Sequence, residues 1–187
     1  MMQLVGEHGV AAITILLYGQ FLFNAFYLGF TIGISPIVGF QYGAGDKQKL
    51  RNIYHTSFLF VAVSSVFMAV IAIVLSPTIV TIFTDDPATY ELAAAGFRLF
   101  AINFLFSGIS ITSSGFFTAL SNGTISAVIS FCRTLGFIVL SLLILPKFLG
   151  ITGAWIAIPV AEFCTLLVTG VMHFLYFWKP GIRNYLR

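Results

Sequence analysis

The residues most able to do chemistry are polar and charged side chains that lie inside strongly apolar segments. Glu162 lies in one such segment and Arg133 in another. Charged residues are rare within membrane-crossing helices and commonly mark ion or substrate paths. A carboxyl group at Glu162 can exchange a proton or bind a cationic ligand. The structural alternatives are an ion pair with Arg133 or a hydrogen bond to a neighbouring helix, and Arg133 could instead extend to the interface.

Other polar residues recur at spacings of 4, 7 or 11, which place them on one face of a helix. Four segments carry such stripes: Gln20, Asn24, Tyr27, Thr31 and Ser35; Asn103, Ser107, Ser110, Ser114 and Thr118; Ser126, Ser130 and Arg133; Glu162, Thr165, Thr169 and His173. Small polar residues often join helices within a membrane, which is one interpretation. The other is that the stripes line the cavity of a transporter, with Gln20, Asn24, Tyr27, Asn103, Ser107, Arg133 and Glu162 as candidates for substrate or ion contact.

The composition indicates an all-α integral membrane protein. Hydrophobic residues make up 59% of the 187 residues and charged residues only 8%, with a mean hydropathy of +1.02. A soluble domain carries about 25% charged residues. No phosphate-binding loop, zinc-ligand spacing or nucleophile elbow is present. We therefore expect no enzyme, no metal site and no cofactor. The net charge of +3 is interpreted as basic residues beside membrane spans, not as a nucleic-acid site.

Five apolar segments predict a single membrane domain with five transmembrane helices. Each is long enough for a helix that needs about 20 residues to cross the hydrocarbon core. The predicted spans are approximately 10–43, 54–83, 90–120, 124–145 and 151–178. Pro87 after an acidic turn suits a helix start, the run Ser121-Asn122-Gly123 predicts a tight turn, and Pro146-Lys147 is expected to end the fourth span.

The positions of the basic residues predict the orientation in the cell membrane. Lys and Arg residues lie in the loop 47–51 and in the tail 179–187, whereas Asp85, Asp86 and Lys147 lie on the opposite side. This pattern predicts a cytoplasmic C-terminus and an external start of the chain. An odd number of spans with an external start suggests that one or more spans are missing upstream.

Two segments resemble motifs of the multidrug and toxic compound extrusion (MATE) transporters. The run from Gly29 to Asp46, with its G-x-x-x-G-x-x-P-I-V-G and G-A-G-D elements, is similar to one family segment. The run Gly150, Gly153-Ala154-Trp155, Ala157, Pro159 and Glu162 is similar to the segment in the family's final helix. The resemblance implies a twelve-helix transporter with two six-helix lobes. This chain would be a C-terminal fragment, the last five helices of the second lobe, with the N-terminal lobe missing.

The resemblance implies antiport: export of drugs or organic cations across the cytoplasmic membrane, driven by H⁺ or Na⁺ through alternating access. An acidic residue that some members use in the C-terminal lobe would fall near Asn103 and Ser107, where this chain has no carboxylate. Two alternatives remain: a non-transporting fragment or accessory subunit, and a lipid-linked precursor flippase of the same superfamily. The flippase ranks lower because a strongly cationic cavity would have only Arg98 and Arg133 to form it.

Overall fold

The structure is a computed structural model that describes the backbone of residues 2–178 and the side chains of residues 6–176. All regular structure in that part of the chain is helical. A 3₁₀ turn, Ala101–Asn103, joins the third helix to the fourth, and a π-helical turn, Cys132–Gly136, joins the fifth to the sixth. The helices are α1 (Met2–Gly43), α2 (Lys47–Phe83), α3 (Pro87–Phe100), α4 (Phe104–Ala119), α5 (Gly123–Phe131) and α6 (Phe137–Trp178).

Short polar turns begin the helices, because their side chains accept hydrogen bonds from unpaired backbone N–H groups. Asp46 Oδ1 accepts the Lys49 N–H at 3.0 Å, and that bond lowers the pKa of the Asp46 carboxyl. Asp86 Oδ2 accepts the side-chain hydroxyl of Thr89 at 2.6 Å and its backbone N–H at 2.9 Å, and both bonds lower the pKa of Asp86. Pro87 occupies the first helical position after Asp86, which confirms the predicted helix start.

The predicted number of five separate transmembrane helices is wrong. Four helical segments in the described part of the chain are long and apolar enough to cross a membrane, and the fourth, of 54 residues from Gly123 to Tyr176, is interrupted by one non-helical residue. The expected loop at Pro146 is instead a single non-helical residue, Gly150, with φ 57° and ψ −134°. Only glycine adopts such a conformation without strain, so one residue turns the chain where a loop was expected.

The chain reverses direction at Gly150. Arg133 and Glu162 are 29 residues apart, yet their side chains lie 3.0 Å apart. A straight helix would separate two such residues by roughly 44 Å. The backbone of Gly153 also lies close to the Leu145 carbonyl group, where an added Cβ would stand 2.6 Å from the carbonyl carbon. The two arms of α6, residues 137–149 and 151–178, therefore lie side by side.

The other predicted boundaries differ less from the structure. α2 begins at Lys47, several residues before the predicted start, because polar residues continue the helix beyond the apolar window. α1 reaches back to Met2 only across a non-helical residue, Gly6, with φ 66° and ψ −148°. The third predicted span corresponds to Pro87–Ala119, which is tightened by the 3₁₀ turn in its middle. The predicted turn at Ser121 is present, with φ 58° at that residue.

α4 is the central helix and contacts α1, α2, α5 and α6. It runs parallel to α1, since the Tyr27 ring approaches Gly108 and Thr31 contacts Thr112, a step of four residues along each helix. Gly108 lets the Tyr27 ring approach, because a Cβ there would lie 2.8 Å from the ring atom Cδ1. Three buried apolar clusters surround α4, the largest of them around the α3 and α4 phenylalanines.

Large apolar side chains cover the outside of the bundle. A water-soluble surface would not expose so many, whereas hydrocarbon is a suitable environment for them. The most exposed include Phe21, Ile32, Phe40, Leu59, Val74, Ile82 and Phe148. The four apolar helices therefore present an outer surface that suits a lipid environment.

Candidate functional site

A buried ion pair links the end of α5 to α6. Arg133 Nε donates to both carboxylate oxygens of Glu162, at 3.0 and 3.1 Å. The Glu162 side chain is 1% exposed and the Arg133 side chain 17% exposed. The π-helical turn that holds Arg133 offsets it from the regular helix, a local feature often found at functional sites. Of the two possibilities raised for Glu162, the ion pair is present in this conformation.

A network of hydroxyl groups lies beside this ion pair, between α4 and α5. Ser114 Oγ lies 2.9 Å from Ser126 Oγ and 2.7 Å from Ser130 Oγ. Thr118 Oγ1 lies 2.7 Å from Ser126 Oγ. Ser126, Ser130 and Arg133 share one face of their segment, as the spacing predicts. The weakest of the four predicted stripes thus packs against the stripe on α4.

Several buried polar atoms in the same region have no hydrogen-bond partner among the described residues. They are the hydroxyl oxygens of Ser107, Ser110 and Thr169, all on side chains no more than 1% exposed. Buried polar groups are nearly always hydrogen-bonded to protein, water or a ligand. These three hydroxyls therefore mark a polar interior between α4 and α6 that can bond to small polar species.

Tyr27, another predicted site residue, lies on the opposite side of α4. Its side chain is fully buried, and its hydroxyl donates to the Phe104 carbonyl at 3.3 Å. Its ring packs edge-on to Phe26 with centroids 5.5 Å apart. Tyr27 therefore joins α1 to α4, and the structure does not bring it into contact with the ion pair.

The predicted amide residues lie at different depths of burial. Asn103 is fully buried; its Nδ2 donates to the Phe100 carbonyl at 2.7 Å, and its Oδ1 has no partner among the described residues. Asn24 Oδ1 is also buried without a partner there, although the whole side chain is half-buried. Gln20 is half-buried one turn earlier on α1. Among the described residues, none of these three amides hydrogen-bonds to Glu162.

Sequence reasoning missed a second polar cluster, which joins α2, α4 and α6. Tyr54 Oη lies 3.2 Å from His173 Nδ1, and His173 Nε2 lies 3.0 Å from Ser113 Oγ. The rings of Phe58 and Phe117 pack against the imidazole with centroids 5.3 and 4.7 Å away. His173 lies on a predicted stripe, but Ser113 does not lie on the predicted stripe of its own segment. The contact depends on how three helices pack together, which local spacing does not reveal.

The described residues show no cluster of three or more His, Cys, Asp or Glu side chains that could hold a metal ion. Cys132 and Cys164 are free and half-buried. The polar groups of the described interior include the Arg133–Glu162 pair, the Tyr54–His173 pair, the hydroxyl groups and the amides. This set suits protons, water, monovalent cations and the polar groups of an organic molecule.

Ionisable side chains buried inside an apolar helical bundle commonly mark an ion or substrate path. The sequence profile of the family described as MatE matches residues 1–143, well over half of the chain. The chain belongs to the MATE family, which confirms the resemblance drawn from its motifs.

Individual relatives agree with this assignment. The human multidrug and toxin extrusion protein 1 is 28% identical over 143 residues, covering 74% of this chain and 24% of the relative. The probable multidrug resistance protein YoeA of Bacillus subtilis (strain 168) is 27% identical over an alignment of 199 residues, covering 98% of this chain and 42% of the relative. The chain thus spans less than half the length of these relatives.

A solved structure shares the fold. The crystal structure of MATE in complex with MaL6 superimposes with a TM-score of 0.85 at 20% identity, covering 93% of this chain and 40% of that chain. At this identity the comparison establishes the arrangement of the helices and not the ligands.

Proposed function

We propose that the protein exports small organic molecules, including drugs and organic cations, across the cell membrane in exchange for H⁺ or Na⁺. This chain supplies one wall of the substrate cavity, and an N-terminal lobe supplies the facing wall. Two lobes that rock about a central cavity give alternating access, the usual scheme for such transporters. Membership of the MATE family and the chain's limited coverage of its relatives support this proposal.

The buried ion pair is the observation that carries the proposal. Burying two charges is costly, and a well-packed apolar pair is often at least as stable. A structural role therefore gives little reason for a carboxylate at Glu162 that is only 1% exposed. Among the described residues, the Glu162 carboxylate hydrogen-bonds to an arginine, and α6 and the neighbouring α4 carry unpartnered hydroxyls, so the carboxylate can change partner when a proton or a cation arrives.

The expected orientation places the basic end of α2, at Lys47, Lys49 and Arg51, on the cytoplasmic side. The opposite end, at Asp85 and Asp86, is then external. The predicted cytoplasmic tail, with Lys179, Arg183 and Arg187, lies outside the described residues. Labelling of single cysteines introduced at residues 49 and 85 with an impermeant reagent on intact cells tests the orientation.

The decisive variant is Glu162→Gln, which keeps the shape of the side chain and removes its charge. We expect drug export from cells to fall by roughly 5- to 150-fold, the range of ordinary coupling free energies. The amount of protein in the membrane should change little. Glu91→Gln is the matched control, because Glu91 is exposed on α3. Unchanged export by Glu162→Gln contradicts an essential role of the ion pair in transport.

A further inference from the structure

The polar groups on α6 lie on one face between the ion pair and His173. Glu162, Thr169 and His173 follow each other at spacings of seven and four residues, which place them on one side of the helix. The rise of an α-helix separates Glu162 from Thr169 by about 10 Å and Thr169 from His173 by about 6 Å. The face therefore runs along α6 from the ion pair to the imidazole.

α4 presents matching hydroxyl groups to this face. The ring pair Phe106–Phe163 has centroids 5.4 Å apart, and the pair Phe117–Tyr176 has centroids 5.1 Å apart. These contacts, at nearly constant offset in sequence, show that α4 and α6 run parallel in one register. In this register Ser110 lies at the same level as Thr169.

We propose that His173 is the proton entry point of the transporter and that buried hydroxyls carry the proton between His173 and Glu162. The hydroxyl line consists of Ser113, Ser110, Thr169 and Ser107. This inference rests on the proposed function, and it identifies the coupling ion as a proton and assigns its route. Three members of the line have hydroxyls that no described residue bonds, so they can bond to water molecules that complete the route.

The geometry at His173 suits proton transfer. In one tautomer the Tyr54 O–H donates to Nδ1 and the Nε2–H donates to Ser113 Oγ; in the other both bonds are reversed. A proton that arrives at Tyr54 replaces the proton that Tyr54 passes to Nδ1. The ring then passes its Nε2 proton to Ser113, so one proton enters and one leaves. A half-turn flip of the imidazole ring, together with reorientation of the hydroxyls, again presents a ring N–H to Ser113 and an acceptor nitrogen to Tyr54.

The position of Tyr54 also suits an entrance. It lies two turns from the start of α2, at the end of the bundle that carries Lys47 and Arg51. The aromatic rings of Phe58, Phe116 and Phe117 surround the Tyr54–His173 pair and limit other routes to the imidazole. At the far end of the line, Arg133 Nε donates to both carboxylate oxygens of Glu162.

Other titratable groups near the route are few. Tyr176 contacts Phe117 next to the imidazole, and Cys164 lies on α6 two residues after Glu162. His55 is exposed on α2, beside Tyr54. The ionisable groups in hydrogen-bond contact along the route itself are therefore Tyr54, His173 and the Arg133–Glu162 pair.

The variant that separates proton transfer from packing is His173→Gln. Glutamine has one acceptor and one donor group, so it can keep both hydrogen bonds but does not take up a proton. The full protein is placed in sealed vesicles, with the fluorescent cation ethidium as substrate. Three fluxes are measured: ethidium transport driven by a pH gradient, proton movement induced by ethidium, and exchange of ethidium for ethidium without a gradient.

We expect His173→Gln to retain ethidium exchange within about twofold and to lose pH-driven transport and ethidium-induced proton movement by about tenfold, a difference of about 1.4 kcal/mol. Thr169→Val removes one hydroxyl at similar volume. It should also retain ethidium exchange and lose proton-coupled transport, but the loss should be smaller. His55→Gln is the matched control and should behave as the unaltered protein.

The remaining outcomes each count against the proposal. Normal proton movement in His173→Gln overturns the route. Loss of exchange together with proton movement assigns His173 a packing role and also overturns it. If the unaltered protein exchanges ethidium and responds to a sodium gradient but not to a pH gradient, the route fails and the proposed export function stands. If it moves no ethidium at all, both fail.

Discussion

Removal of Arg133 should destabilise the protein more than removal of its partner. In Arg133→Gln the Glu162 carboxylate remains in place at 1% exposure, without the donor that now bonds both of its oxygens. Breaking a buried ion pair at one side costs about 3–5 kcal/mol, because the other charge stays buried and unpaired. In Glu162→Gln the remaining charge is Arg133, whose 17% exposed side chain can extend toward the interface at a smaller cost.

The double variant Arg133→Gln/Glu162→Gln removes both charges together. Its free energy of unfolding should therefore be higher than the two single losses would predict, by a coupling term of about 1–3 kcal/mol. The assay is reversible unfolding of the purified protein in mixed detergent micelles, for the two single variants and the double variant. Arg98→Gln is the control, since Arg98 is exposed on α3 and its loss should cost no more than about 0.5 kcal/mol.

Two results would refute this reasoning. The first is strict additivity, which would mean that the two side chains do not stabilise each other in the membrane domain. The second is a larger loss of unfolding free energy for Glu162→Gln than for Arg133→Gln. It would mean that the unpaired arginine, and not the unpaired carboxylate, is the more costly buried charge.

Two further predictions concern packing and the polar turns. Gly96→Ala should lower the free energy of unfolding by about 1–3 kcal/mol through overpacking, because the new Cβ would lie 2.7 Å from Cδ2 of the buried Trp155. Gly29→Ala is the control and should not lower the thermal midpoint, because nothing lies within 4 Å of a Cβ at that position. Equal thermal midpoints for the two variants would contradict the packing. Because hydrogen bonds from Thr89 lower the pKa of Asp86 below its ordinary 3.8, the stabilisation they give is complete above that pH and is lost as the pH falls through the lower value of the folded state. Asp86→Asn keeps a cap and should flatten this acid-side loss in a melting-point profile against pH, whereas an unchanged profile would contradict it.

Much of the architecture could be predicted from local features of the sequence. The helix start at Pro87 and the turn at Ser121 follow from side chains that act on their own backbone. The polar stripes follow from helical periodicity, and the Arg133–Glu162 pair was one of the two possibilities for Glu162. These features depend on neighbours within one or two helical turns, or on the high cost of an unpaired charge.

The features that could not be predicted depend on long-range packing. A proline and a lysine suggested a loop at residue 146, but Gly150 alone turns the chain, so one non-helical residue joins the two predicted spans. The Tyr54–His173–Ser113 contact requires the register of three helices that are distant in sequence. Burial also differs among residues of one stripe, as the fully buried Asn103 and the exposed Thr118 illustrate.

The central claim is that the polar interior belongs to a transport cavity and does not merely hold helices together. The most direct test is the accessibility of a single cysteine at position 130, in a protein whose Cys132 and Cys164 are replaced by alanine. Ser130 is half-buried beside Ser114, and Leu59→Cys on the exposed apolar face of α2 is the control. We predict that a water-soluble thiol reagent labels the cysteine at 130, that ethidium slows this labelling, and that the cysteine at 59 stays unlabelled in lipid. Equal resistance of both cysteines to the reagent, with or without ethidium, would contradict the account.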